Sequence, residues 1–179
     1  RELTVFNGLK DDSLVQLHSI VNPSSLESEA EDSIDISQEI TLKENQPSPA
    51  RILKFTAEIT ENHRQITSGK LVINATVNSE ILYGGEYEGM YRLSSVRNRT
   101  DFSQFIPIND EADTDLVMLS FNGDDLSVDI ENQDKLLLHG QIKTSVYVYS
   151  NLEIPMVSDA YHRDRDISFD VSKEELSSI

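Results

Sequence analysis

An alternation of residue types over residues 70–83, KLVINATVNSEILY, constrains the fold more than any other part of the sequence. Every second side chain from Leu71 to Tyr83 is apolar or small, and most side chains between them are polar. This period of two predicts a β-strand with one face in the core and one face in water. At about 3.3 Å per residue the strand spans roughly 45 Å, so we expect other strands to align along it. Gly84-Gly85 is expected to end it.

Residues 135–150, KLLLHGQIKTSVYVYS, form a second long alternating pattern. We expect this strand to be the main hydrogen-bonded neighbour of the strand at 70–83. Between the two, residues 122–125, Asn-Gly-Asp-Asp, separate two short β-like runs. An Asn-Gly turn between alternating runs predicts a β-hairpin at this point.

Strand-like runs recur along most of the chain, about ten in all, with turn residues between them. The tail is the exception, because residues 172–175, Ser-Lys-Glu-Glu, have the Ser-x-x-Glu pattern that caps helices. The predicted fold is therefore all-β: an antiparallel β-sandwich or partly open barrel of about ten strands, with a short C-terminal helix.

The charge of the chain limits its partners. The 179 residues carry a formal net charge of −17, with a pI of about 4.4. A surface this acidic repels phosphate backbones and anionic lipid headgroups, so we expect neither nucleic acid nor membrane as a partner. The acidity can serve solubility alone, or a specific use such as cation binding or charge-controlled assembly.

The residue patterns on which most enzymes depend are missing from the sequence. There is no cysteine, and the four histidines lie in separate segments without the spacing of a helical zinc pair. The sequence also has no G-x-S-x-G elbow, no phosphate-binding glycine loop and no dinucleotide fingerprint. We therefore expect no enzymatic activity and no cofactor.

An acidic connection at residues 109–115, NDEADTD, is the candidate for a bound ion. Calcium is the ligand to expect there, because hard cations take several carboxylate oxygens. The connection lacks the glycine and the distal glutamate of a helix-loop-helix calcium site, and a solvated loop is the alternative. The candidate ligands are Asp110, Glu111, Asp113 and Asp115.

The first 33 residues differ in character from the rest. Two β-like runs at 2–6 and 14–21 could form a hairpin, and the polar segment 22–33, NPSSLESEAEDS, reads as a linker that a neighbour would hold in place. We expect residues 1–33 to be an N-terminal arm that donates a strand to another subunit, and residues 34–179 to be the β domain. The predicted interface residues are Leu3, Val5, Leu14, Val15, Leu17 and Ile20.

A series of framework motifs follows in order along the chain: ILKFTAEI at 52–59, GKLVINATVNSEILY at 69–83, FSQFIPI at 102–108 and DAY at 159–161. In this order they resemble the SPOCS domain of spore-coat morphogenetic proteins from clostridia and related bacteria. The resemblance extends over about residues 34–171. Residues 1–33 have no counterpart in it.

The resemblance implies a non-enzymatic β domain that works by protein-protein contact in the spore envelope. The expected function is a structural, self-assembling protein of a spore coat, spore appendage or cell-surface filament, made in the sporulating mother cell. Its partners would be other copies of itself or other spore-envelope proteins. The alternative is a monomeric adhesin or carbohydrate-binding β-sandwich, whose aromatic platform would use tyrosines at 83, 87 and 91 or at 147, 149 and 161.

Overall fold

A computed structural model describes residues 8, 13–108 and 112–164 of the protein, and nearly all of them lie in β-strands. The all-β prediction is confirmed, and the predicted helix at 172–175 lies outside the described residues. A 3-10 turn occupies Thr114–Leu116. The strands are β1 (Leu14–Val21), β2 (Ser24–Thr41), β3 (Ser48–Thr67), β4 (Lys70–Tyr87), β5 (Met90–Pro107), β6 (Val117–Asn122), β7 (Ser127–Ile130), β8 (Lys135–Asn151) and β9 (Ile154–His162).

The chain divides into two compact units, one of residues 26–150 and one of residues 1–25 with 151–179. The larger unit holds two antiparallel sheets. One sheet has the order β3-β4-β5, and in the other β8 lies between β2 on one side and β6 and β7 on the other. The sheets pack face to face as a sandwich and do not close into a barrel, which confirms the sandwich prediction. The smaller unit contains the antiparallel pair of β1 and β9.

The two long alternating strands, β4 and β8, are not hydrogen-bonded neighbours, so that prediction was wrong. Each is the central strand of its own sheet, and their apolar rows belong to one shared core. Two strands that each have a single apolar face can bury both faces by stacking as well as by pairing. The fully buried aliphatic side chains of the two rows are Leu71, Ile73, Val77, Ile81, Leu136, Leu138, Ile142 and Val146.

A fully buried hydrogen bond crosses the core between the two sheets. The Thr144 hydroxyl of β8 donates to Oε1 of Gln104 on β5 at 2.7 Å, and both residues are buried. Nε2 of Gln104 has no partner in the described part of the chain. A buried hydrogen bond of this kind stabilises one alignment of the sheets, because any other leaves two polar groups unpaired in an apolar core.

Gly84-Gly85 does not end β4, contrary to the prediction. The strand continues to Tyr87, and the chain turns at Glu88 and Gly89, whose φ values are 52° and 74°. The two glycines are needed for close packing instead. A Cβ on Gly85 would lie 1.9 Å from the Ser48 carbonyl oxygen, so only glycine allows the β3 backbone this near.

The predicted hairpin around residues 122–125 is also absent. β6 and β7 do not pair with each other, and both pair with β8, at residues 143–148 and 136–139 respectively. The loop between them passes close to Gly140 of β8. That glycine has a φ of 137°, and a Cβ there would lie 2.3 Å from the Asp125 carbonyl oxygen. The residues predicted to form a hairpin turn therefore form the loop that separates β6 from β7 along one edge of the sheet.

Replacing Gly140 by alanine should destabilise the fold, because the new Cβ meets both an unfavourable φ and the Asp125 carbonyl. The matched control is Gly89→Ala, which also has a positive φ but has open space around the added Cβ. We expect G89A to lower the free energy of unfolding by about 1–2 kcal/mol, and G140A to lower it by at least twice as much. Urea denaturation measures both values, and equal losses would contradict the packing role of Gly140.

Candidate interaction surfaces

The outer edge of β5 has no strand partner in the described residues. Ile108 N donates to the Gly69 carbonyl oxygen at 3.0 Å, in the same register as the β4–β5 ladder. Even-numbered residues of β5 therefore bond to β4, and odd-numbered residues direct their N–H and C=O groups outward. Gln46 Nε2 donates to one of these groups, the Ser95 carbonyl oxygen, at 3.4 Å. The open edge extends from there to Pro107.

A hydrogen-bond network of four side chains lies on the outer face of the β3-β4-β5 sheet. The Thr76 side chain, only 2% exposed, donates to Asp101 Oδ1 at 2.6 Å and accepts from Asn62 Nδ2 at 2.7 Å. Arg99 donates to Asp101 and to Thr76 at 3.1 and 3.3 Å. The Thr76 hydroxyl and the Arg99 guanidinium together lower the pKa of Asp101. The network ties all three strands together on the face opposite the core.

In the described residues, β2 is one edge strand of the other sheet, and it is acidic. Its Ile36 and Ile40 side chains are buried in the core. Glu39 forms an ion pair with Lys135 of β8 at 2.7 Å, and this carboxylate raises the pKa of Lys135. β2 has no basic residue of its own, and its acidic residues are Glu27, Glu29, Glu31, Asp32, Asp35 and Glu39.

Four of the predicted interface residues, Leu14, Val15, Leu17 and Ile20, lie in β1. This strand pairs with β9 of the same chain, so one of its edges is already occupied. Leu17 and Ile20 are 50% and 62% exposed, whereas Leu14 and Val15 are half-buried. Leu3 and Val5 lie outside the described residues. Donation of β1 to another subunit stays a prediction, and it would require exchange of the pairing with β9 or use of the other edge of β1.

The predicted calcium ligands are only partly described. Asp110 and Glu111 lie outside the described residues. Asp113 accepts hydrogen bonds from the backbone N–H of Asp115 and of Leu116, at 3.1 and 2.9 Å, and so caps the 3-10 turn. The described residues contain no group of three or more side chains arranged to hold a metal ion. Calcium binding stays a prediction.

The tyrosines proposed for an aromatic platform differ in their surroundings. Tyr83 is fully buried, which raises the pKa of its phenol, and the neighbouring Ser94 hydroxyl offsets part of that rise. The Arg92 guanidinium lies 4.9 Å from the centre of the Tyr87 ring. Tyr91 is exposed and its hydroxyl lies over Gly84. Tyr83 is thus unavailable to a ligand at the surface.

The family comparison identifies the middle of the chain. The family model described as SipL, SPOCS domain, matches residues 49–131. Residues 49–131 are a SPOCS domain. The matched part contains almost the whole β3-β4-β5 sheet together with β6 and β7, and it is narrower than the resemblance expected over 34–171. The SPOCS domain marks a sporulation-related protein.

Two further comparisons add nothing to this identification, since neither a curated protein nor a solved structure matches the chain. In the part of the chain that the structure describes, no helix has the length and apolarity needed to cross a bilayer.

The sequence predictions did not identify the open edges of β5 and β2. A signal for β2 was present, because residues 27, 29 and 31 are glutamates at a spacing of two, with Ala30 between two of them. The composition of the segment, rich in serine and glutamate, favoured a linker instead. β5 shows no continuous alternation in the sequence, because its polar residues at 97–101 interrupt it.

Lowering the pH should test the network around Asp101. The pKa of Asp101 is lower in the folded state than in the unfolded state, where it is about 4. Ionised Asp101 therefore stabilises the fold above the unfolded pKa. This stabilisation is lost as the pH falls from the unfolded pKa through the folded pKa of Asp101. The D101N variant lacks this contribution, so its melting temperature should fall less steeply than that of the wild type below about pH 4.

The measurement is a series of thermal melts between neutral pH and the acid limit of folding. E58Q is the control, because Glu58 is an exposed carboxyl on β3 of the same sheet. Parallel curves for the wild type and D101N would contradict the role of the network.

Proposed function

We propose that the chain is a structural, self-associating protein of a spore coat, spore appendage or related cell-surface filament, and that its subunits join through strand edges. The observation that carries this proposal is the open edge of β5, an 18-residue strand. Unpaired N–H and C=O groups along such an edge template pairing with a strand of another chain.

The two outer strands of the β3-β4-β5 sheet differ in the regularity of their pairing with β4, and this difference supports association through β5. β3 has three irregularities in its register with β4, between Pro49 and Arg51, between Ile52 and Lys54 and between Glu61 and His63. Bulges of this kind protect an edge, because they bend the strand and disrupt the regular row of polar groups. β5 pairs with β4 over its whole length without a register shift. Of the two edges of this sheet, the β5 edge is the regular one.

Exposed apolar side chains on β5 also favour contact between this edge and another chain. Leu93 and Phe105 are 63% and 59% exposed on the outer face. Large apolar side chains at an exposed regular edge are unfavourable in a monomer and favourable in a strand-to-strand contact, where the neighbour covers them.

The proposed role is non-enzymatic. A serine, a histidine and an aspartate lie together at Ser127, His139 and Asp129. Both neighbours contact the same ring nitrogen of His139, Nε2, at 3.4 and 2.9 Å. A proton relay needs the base to use its two nitrogens for two different partners, so this cluster does not supply one.

The proposed location is the spore envelope or the cell surface, and the proposed partners are other copies of the chain or other envelope proteins. The SPOCS domain supports this through its link to sporulation. The alternative, a monomeric adhesin or carbohydrate-binding module, would not associate with itself and would bind glycans.

Self-association is tested by size-exclusion chromatography with light scattering, from micromolar to millimolar protein, followed by electron microscopy. We expect assemblies that grow with concentration. S103P should reduce them at least tenfold, because Ser103 directs its N–H outward and proline removes that donor from the edge. S103A is the matched control. Both variants lose the Ser103 side-chain hydrogen bond to Asn74, but only S103P loses the backbone N–H at the β5 edge.

A wild-type monomer at every concentration would contradict the proposal, and glycan binding by that monomer would support the alternative. Equal assembly of S103P and S103A would show that the β5 edge is not the contact.

A further inference from the structure

Two edge strands of the larger unit, β5 and β2, carry opposite charge. β5 has three basic residues, Arg92, Arg97 and Arg99, and one acidic residue, Asp101. β2 has six acidic residues and no basic one. We propose that the acidic edge of β2 in one copy pairs with the basic edge of β5 in a second copy. This inference rests on the proposed self-association and names the surfaces that make it.

The arginines of β5 are available for such a contact. Arg97 is 82% exposed and pairs with Glu80 at 3.3 Å, and Arg99 is 65% exposed and pairs with Asp101 at 3.1 Å. Exposed ion pairs of this kind are weak, so their arginines can exchange partners when another strand arrives. Arg97 and Arg99 are two residues apart and so point to the same face of the sheet.

The acidic residues of β2 offer the matching spacing. Glu27, Glu29 and Glu31 are also two residues apart and exposed on one face. Glu31 accepts a hydrogen bond from Ser145 at 3.2 Å. In the described residues none of the three forms an ion pair, in contrast to Glu39 with its partner Lys135. Two neighbouring arginines can therefore face two neighbouring glutamates.

Charge also favours this pairing over the pairing of either strand with its own copy. Pairing of β5 with β5 would bring arginines opposite arginines, and pairing of β2 with β2 would bring glutamates opposite glutamates, which is unfavourable across strands. Of these three pairings, only the β2–β5 contact brings the basic residues of one strand opposite the acidic residues of the other. Since each copy has one edge of each kind, the contact can recur from copy to copy.

The same charges have a second physical interpretation. Charged side chains on exposed edges often prevent association. If the glutamates of β2 serve that purpose, neutralising them should increase association. If they are one half of a contact, neutralising them should decrease it. The two interpretations therefore differ in the sign of one measurement.

The experiment compares the wild type with R97E/R99E, E29K/E31K and the combination of all four changes, by light scattering and analytical ultracentrifugation. We expect each double variant to lose at least tenfold in association, because each places like charges across the contact. A mixture of the two double variants, and the fourfold variant by itself, should recover association, since opposite charges again meet. Rising salt should weaken association of the wild type.

K54E/K143E is the matched control. It changes the net charge by the same amount as R97E/R99E, with one substitution on the irregular edge strand β3 and one on the central strand β8. It should associate like the wild type. Because Arg99 belongs to the Asp101 network, R97E alone serves as the second variant if R97E/R99E lowers the melting temperature.

Three results would overturn the inference: no difference between R97E/R99E and the control, no recovery in the mixture, or stronger association of E27Q/E29Q/E31Q. In each case an associating wild type would leave the proposed function intact. A wild type that stays monomeric would overturn both.

Discussion

The fold depends on two apolar rows, one on β4 and one on β8, that meet across a single core. Because side chains alternate along a strand, a shift of one residue would send the whole row into water. The core therefore fixes the register of β4, and the uninterrupted β4–β5 ladder passes that register on to β5. In this way buried residues such as Ile73 and Ile81 determine which polar groups of β5 face outward and can bind another chain.

The sequence predicted the strands better than their pairing. Alternation is a property of one strand, so residues 70–83 and 135–150 were found, and the buried face of each was assigned correctly. Pairing depends on which strands lie side by side, and β4 and β8 have the same pattern whether they pair or stack. Glycine was a second source of error. Gly84 and Gly85 resemble a turn in sequence, and their requirement for glycine comes from a neighbouring backbone that only the fold brings near.

The surfaces were harder to predict than the core, for a physical reason. An edge exists only in relation to a whole sheet, so no local pattern distinguishes β5, at an edge, from β4, at the centre. The acidic segment before residue 34 has the composition of a linker, yet Ile36 and Ile40 anchor the same strand in the core. The family match contributed the sporulation setting, which no charge or spacing in the chain could have supplied.

The hydrogen bond between Thr144 and Gln104 has a consequence for how the two sheets find each other during folding. Rows of aliphatic residues tolerate a slide by two positions, because each step brings another apolar side chain to the same place. A hydroxyl and an amide that must meet accept one alignment, and every slipped arrangement leaves both of them dehydrated and unpaired. The pair thus selects one alignment of the two sheets among several that bury similar apolar area. Every copy of the protein therefore presents the same surface to its neighbours.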